Sequence, residues 1–206
     1  MVLIHLNNLL NYMEQDYKLR LSLIIECIKK CGKYNLVPTC SIEDIKIFED
    51  KFDVQLPESY KWFVTTIANG VVSKHEWESN LMDSHDWANY WFLEDEYNPS
   101  IPFPLTTRVV YSNKESSDND DRFPYETIYD NEGDFFHNGY RFGEISLVGT
   151  GCGSDDFLVV KGNEYGNVWI DNFSSNSEVY PVFDSKLNKK RLRFTDWLEL
   201  RVDQCV

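Results

Sequence analysis

The sequence predicts an α+β fold, with N-terminal helices followed by an antiparallel-rich sheet and a closing C-terminal helix, on three observations. Apolar residues recur at three- and four-residue steps through the first seventy positions. Short apolar runs bounded by glycine, asparagine and proline follow between Arg108 and Phe183. A last helical pattern then carries Trp197, Leu198 and Leu200. Helix and strand candidates are grouped rather than interleaved, which argues against alternating α/β.

Leu6, Leu10, Met13, Tyr17, Leu21, Ile24 and Ile28 predict one amphipathic helix, or two in succession, stopped by Gly32. Ser41-Ile42-Glu43-Asp44 is a helix start: the serine hydroxyl can accept a free amide and the acids suit the positive helix end. Ile45, Phe48 and Phe52 then point inward. Pro57 opens a third helix, where its missing N–H costs nothing, and Tyr60, Phe63, Val64 and Ile67 form its stripe up to a stop at Asn69-Gly70. From His75 to Thr107 aromatics crowd together and Lys and Arg vanish. A short helix is expected over Ser84 to Leu93, with extended backbone imposed by Pro99, Pro102 and Pro104 after it. Arg108 to Tyr111 and Tyr125 to Tyr129 read as short strands separated by a polar loop. Gly143 to Val148 reads as a strand broken by Gly149-Thr150-Gly151-Cys152-Gly153-Ser154. Phe157 to Val160 and Val168 to Ile170 flank a turn-rich stretch and should form an antiparallel hairpin, buried on both faces. Val179 to Phe183 is a further strand, and Thr195 is placed to cap the last helix. The elements are expected to make one sheet with the helix of Tyr60 to Ile67 packed on it.

The chain has 206 residues, 42% of them hydrophobic and 15% aromatic, enough to offset the entropy of ordering one core and to exclude full disorder. Its formal net charge is -14, so a phosphate backbone is repelled and direct nucleic-acid binding is disfavoured. The leading Met1-Val2-Leu3-Ile4-His5-Leu6 has no basic residue before its apolar ones, and no apolar run approaches the ~20 residues of a membrane helix. A cytoplasmic protein without membrane association is expected. Five cysteines (Cys27, Cys31, Cys40, Cys152, Cys205), an odd number without paired zinc spacing, are expected to be free thiols.

No motif points to catalysis, a metal or a cofactor. The glycine turn at residues 149–154 could wrap an anion, but it lacks the Gly-Lys-Ser/Thr of a P-loop and is followed by Asp155-Asp156. Those acids would also raise, not lower, the pKa of Cys152 as a nucleophile. Cys27 and Cys31 lack a second ligand pair. His75-Glu76 and His85-Asp86 could in principle serve a metal-dependent hydrolase, yet their ten-residue gap matches no metal signature. The strings at 118–121 and 130–134 fail the calcium-loop register, with Phe123 and Phe135 where glycine belongs.

Charge distribution says more. Between His75 and Asp134 fifteen acids face only Arg108, Lys114 and Arg122, so nearly all the net charge lies there, whereas Lys186, Lys189, Lys190, Arg191 and Arg193 cluster before the last helix. A negative face rich in tryptophan and tyrosine suits a basic protein partner, because acids steer association and aromatics supply hot spots. The partner-binding residues expected are Glu94, Asp95, Glu96, Asp118, Asp120 and Asp121, with Trp87 or Trp91 as anchor.

The order of motifs resembles a known family. Ile42-Glu43-Asp44-Ile45, Phe48-Glu49-Asp50-Lys51-Phe52, Val54-Gln55-Leu56-Pro57-Glu58-Ser59-Tyr60-Lys61-Trp62-Phe63 and Asn69-Gly70 resemble the N-terminal signature of the SUKH superfamily, the Smi/Knr-type proteins. Residues 143–148, the glycine turn, 157–160, Gly166-Asn167-Val168-Trp169 and Phe194-Thr195-Asp196-Trp197-Leu198 look like its strand, hairpin and closing helix. The resemblance covers roughly 41–70 and 142–200. It implies a non-enzymatic α+β binding module used as an intracellular immunity protein against a cognate polymorphic toxin, often a nuclease. Fungal relatives, regulators of cell-wall synthesis, supply the alternative of a regulatory scaffold. Leu56, Pro57, Asn69 and Gly70 carry over as fold-defining positions. The expected organisation is a single SUKH-like domain over 1–206, with an N-terminal helical extension (about 1–31) and an acidic insertion (about 75–134) that departs from the compact family pattern.

Overall fold

The computed structural model describes residues 2–76, 78–90, 98–111, 125–128, 141–151, 153–172, 178–183 and 190–203, with residues 2–16, Tyr111 and 125–128 described as backbone alone. In chain order the elements are α1 (Val2–Cys31), β1 (Tyr34–Val37), α2 (Ile42–Phe52), α3 (Glu58–Thr66), β2 (Gly70–Ser73), β3 (Arg108–Tyr111), β4 (Tyr125–Ile128), β5 (Glu144–Gly151), β6 (Ser154–Val159), β7 (Val168–Asp171), β8 (Glu178–Pro181) and α4 (Phe194–Asp203). The α+β architecture expected from the sequence is the one found.

Among the described residues two sheets form, not one. A six-stranded sheet runs β4-β3-β8-β7-β6-β5, and β1 pairs antiparallel with β2 in a separate ribbon. In the large sheet only β3 and β4 are parallel; the other pairings are antiparallel. The predicted hairpin of β6 and β7 is present, with Phe157 opposite Trp169 and Leu158 opposite Val168. Successive side chains on a strand point to opposite faces. Leu158, Val160 and Val168 therefore join Ile45, Phe48, Tyr60, Phe63, Phe194 and Trp197 in the core beneath the helices, while Phe157, Val159, Trp169 and Val179 bury a second face with Phe103. The run Phe157 to Val160 is buried on both sides for that reason.

Val2–Cys31 make one helix, ended by Gly32 at φ +70. Leu21, Ile24, Ile25 and Ile28 are buried along one face, and Arg20 donates to Asp196 of α4 at 2.8 Å and also pairs with Glu199. Ser41 caps α2 in a reciprocal box: its Oγ accepts from Asp44 N at 3.0 Å, and the Asp44 carboxylate accepts from Ser41 N at 3.2 Å. Glu49 ties α2 to α3, accepting from Leu56 N at 2.8 Å and from Lys61 Nζ at 3.2 Å. Pro57 sits at the α3 N-cap and is buried, as is Leu56.

Several local expectations need correction. Helix α3 stops at Thr66, ahead of Asn69-Gly70, and Gly70 instead begins β2. Of the helix expected over Ser84 to Leu93, residues 84–90 are not helical, with a turn at 88–89 after irregular backbone, and 91–93 lie outside the described residues. β5 does not break at Gly149 but continues to Gly151 through register shifts against β6, which let the strand absorb its glycines as bulges. The last helix starts at Phe194, so Thr195 lies buried within its first turn instead of capping it.

Candidate partner-binding face

The acid-rich span is seated on β5 at its N-terminal side. Val71 and Met82 form an antiparallel bridge, and Asp83 N then donates to Leu147 O at 2.8 Å while Asp83 Oδ2 accepts from Gly149 N at 2.9 Å. The Nε2 of His85 donates to Ser146 O at 2.7 Å, which fixes that nitrogen as the protonated one. Burial pushes the His85 pKa down, outweighing the carbonyl and the nearby Asp83 and Asp155, so the ring is held neutral. These bonds cover the outer edge of β5, an edge that would otherwise present unpaired backbone groups. Gly70 makes the close approach possible: a Cβ there would stand 2.9 Å from the Ser84 Cβ and 3.0 Å from its N.

Asn69 joins this seat to the core. Its Nδ2 donates to His85 O at 2.7 Å and its Oδ1 accepts from Trp87 Nε1 at 2.8 Å. The Trp87 indole is 2% exposed, edge-on to Phe48 at 5.0 Å and stacked on Tyr90 at 5.8 Å. Trp87 is therefore a core residue and presents no surface to a partner. Its apolar ring and its satisfied N–H are both accounted for inside the fold.

At the C-terminal side, Arg141 plugs into the face of the sheet opposite the helices. Its Nε donates to Glu144 Oε1 at 2.9 Å, Nη1 to Asp171 Oδ2 at 3.0 Å and Nη2 to Asp155 Oδ2 at 2.5 Å, with the guanidinium over the Phe157 ring at 4.6 Å. Asp155 also accepts from Ser146 Oγ at 2.9 Å. Between the two seats, Gly143 N donates to Asn98 O and Phe103 N to Lys161 O, each at 3.0 Å, so the proline segment is fixed to the same sheet. A Cβ on Gly143 would stand 2.4 Å from Phe103 N.

Trp91, Glu94, Asp95, Glu96, Asp118, Asp120 and Asp121 lie outside the described residues. What the structure brings together are the supports on either side of them. Sequence reasoning missed the Arg141 cluster; its only signal was a set of charged residues in or beside otherwise apolar strand runs. Asp156, beside Asp155 but on the opposite face, accepts from Trp197 Nε1 at 2.9 Å and from Arg201 Nη1 at 3.2 Å. The two acids after the glycine turn thus serve side-chain networks on opposite faces. Gly151 and Gly153 adopt φ +89 and +76 there. His75 is exposed, away from the bonded role of His85, and among the described residues no group of three or more His, Cys, Asp or Glu is placed to hold a metal.

A second acid-bearing surface is fully described: a cleft of about 640 Å³ lined by Glu49, Asp50, Asp53, Lys161 and Tyr165, between the end of α2 and the β6–β7 turn. Tyr165 is 40% exposed, and Asp53 holds a left-handed φ of 50 at the α2 C-cap while accepting from Lys161 Nζ at 3.2 Å.

The sequence profile of the SMI1 / KNR4 family (SUKH-1) matches residues 39–189. The chain belongs to that family. The match runs from the residues before α2 to those before α4 and includes the acid-rich span. No curated protein and no solved structure matches the chain. Among the described residues of this SUKH-1 protein, no helix is long and apolar enough to cross a membrane.

Proposed function

We propose that this SUKH-1 protein is an intracellular, cytoplasmic immunity protein that binds and neutralises a cognate polymorphic toxin domain, a nuclease being the class its charge suits, without catalysis of its own. Membership of the family is the observation that carries the reading. In it, residues 1–206 act as one unit, with about 1–31 as a helical extension and about 75–134 as an inserted binding surface that meets the toxin through Trp91, Glu94, Asp95, Glu96, Asp118, Asp120 and Asp121.

Two features support that placement. The span carries most of the -14 net charge, and nucleases are basic where they hold nucleic acid, so a negative face can cover that site while attraction speeds capture. The bonds from Asp83, His85 and Arg141 to β5 and its neighbours seat both sides of the span on a packed sheet, which limits the ordering cost of binding.

The test is protection of cells, and of purified substrate, from the toxin encoded beside this gene. Stoichiometric inhibition with a stable complex is expected. Capture of a regulatory protein instead, with no protection, would support the scaffold role known among fungal relatives. Tyr165→Ala, in the separate cleft, is the internal comparison: loss of binding there with none in the span would move the interface to the α2 side.

A further inference from the structure

We propose that the Arg141–Glu144–Asp155–Asp171 cluster is a proton-dependent fastener: it holds a proton in mildly acidic solution, seated chiefly on Glu144, and release of that proton as the pH reaches neutrality loosens the junction between the acid-rich span and the sheet.

Geometry supplies the reason. One guanidinium serves three carboxylates drawn from β5, β6 and β7, all within hydrogen-bond distance of it. Full ionisation would therefore leave two negative charges in excess among the described members. The Glu144 side chain is 3% exposed, and among the described residues only its Oε1 is bonded; Oε2 is buried with no hydrogen-bond partner among them. An ionised oxygen in that position pays the full desolvation penalty, whereas a neutral carboxyl does not. Among the described residues, the other titratable or charged groups facing the cluster are Tyr90 and His85 from the segment crossing the β5 edge, with Asp83 next to His85. Neither ring adds a cation: burial holds His85 neutral, and burial pushes the Tyr90 phenol above its ordinary range. Arg141 cannot give up its proton to relieve the excess, because the carboxylates outweigh the effect of burial and hold it well above its ordinary value.

Burial is also the leading influence on Glu144 itself, raising its pKa from an ordinary 4.5 to about 7 despite the opposing pull of Arg141. The sign follows directly. The folded state binds this proton more tightly than the unfolded chain, so the contribution to stability is fully present below pH 4.5 and is lost progressively as pH rises to about 7. That is the reverse of an ordinary salt-bridged acid. Arg141 lies beyond the end of the span, and Gly143, two residues on, donates to Asn98 O within it; weakening the cluster acts on that junction.

The experiment compares the native protein with Glu144→Gln, whose amide mimics the neutral acid. The melting temperature of the variant should exceed that of the native protein by a margin that grows by roughly 4 °C or more between pH 5.5 and pH 8.5. Protection of the Gly143 amide, corrected for intrinsic exchange, should fall by on the order of tenfold from pH 5.5 to pH 7 in the native protein and stay constant in the variant. A carboxyl ¹³C resonance of the native protein should titrate between pH 6 and pH 8, a readout that does not need the variant to fold. Absence of any carboxyl titrating in that window overturns the fastener, as does a melting difference that stays constant with pH.

Discussion

Asn69 shows how one side chain can join two parts of the fold. It accepts the indole N–H of the buried Trp87 and donates to the backbone of His85, so Asn69→Ala should cost about 1–3 kcal/mol by leaving a buried donor unpaired. Chemical denaturation would measure it; a loss under ~0.5 kcal/mol would mean that water replaces the amide. Phe63, fully buried on α3 against Phe194 at 5.5 Å, is a simple truncation: Phe63→Ala should cost ~3–5 kcal/mol. Thiols give a chemical reading of the same packing. Cys27, Cys31 and Cys40 are free, with Cys27 exposed; burial, aided by Asp44, pushes the Cys40 thiol up to about 11. The thiolate is the reactive form, so alkylation at pH 8 should modify Cys27 at least about tenfold faster than Cys40. Equal rates in a peptide-resolved time course would contradict that environment. Cys152 and Cys205 fall outside the described residues.

Elements were legible where their period is long enough to repeat. The stripes of α2 and α3, the Ser41 cap, and the β6–β7 hairpin all follow from spacing visible in the sequence, and Ser41→Ala should cost about 1 kcal/mol in thermal or denaturant unfolding. β1 and β2 escaped notice because each lies directly behind a helix-stop signal, Gly32 and Asn69-Gly70, and the second of these in fact admits Ser84 against β2. The site divides along the same line. Its charge is written in the composition, but Glu144, Asp155 and Asp171 lie three, fourteen and thirty residues from Arg141 and converge only once β5, β6 and β7 pair. Trp87 misled for a related reason: a tryptophan among acids reads alike whether it faces outward or, as here, packs on Phe48 and Tyr60.

For the molecule as a whole, the uneven charge sets how a partner should arrive. Reversing Asp118, Asp120 and Asp121 to Lys should slow toxin association at low salt, with less effect at physiological ionic strength, where the Debye length is ~8 Å. Surface changes of this kind usually alter stability by under ~0.5 kcal/mol each, so a melting curve close to the native one should accompany the kinetic change. An association rate unchanged at both salt concentrations would make the span a solubilising surface only. The two seats on β5 have an evolutionary consequence. Because Asp83 and His85 bind its edge and Arg141 inserts between its Glu144 and the neighbouring β6 and β7, the sequence between them begins and ends on the same piece of sheet. Within that stretch β3 and β4 complete the far end of the same sheet and Phe103 fills its second buried face, so these parts are held by the fold itself. Variation in length and specificity is therefore open to the sequence between these fixed points, where doubling a connection adds only about 0.6 kcal/mol of closure entropy, and closed to the strands and ring that complete the sheet.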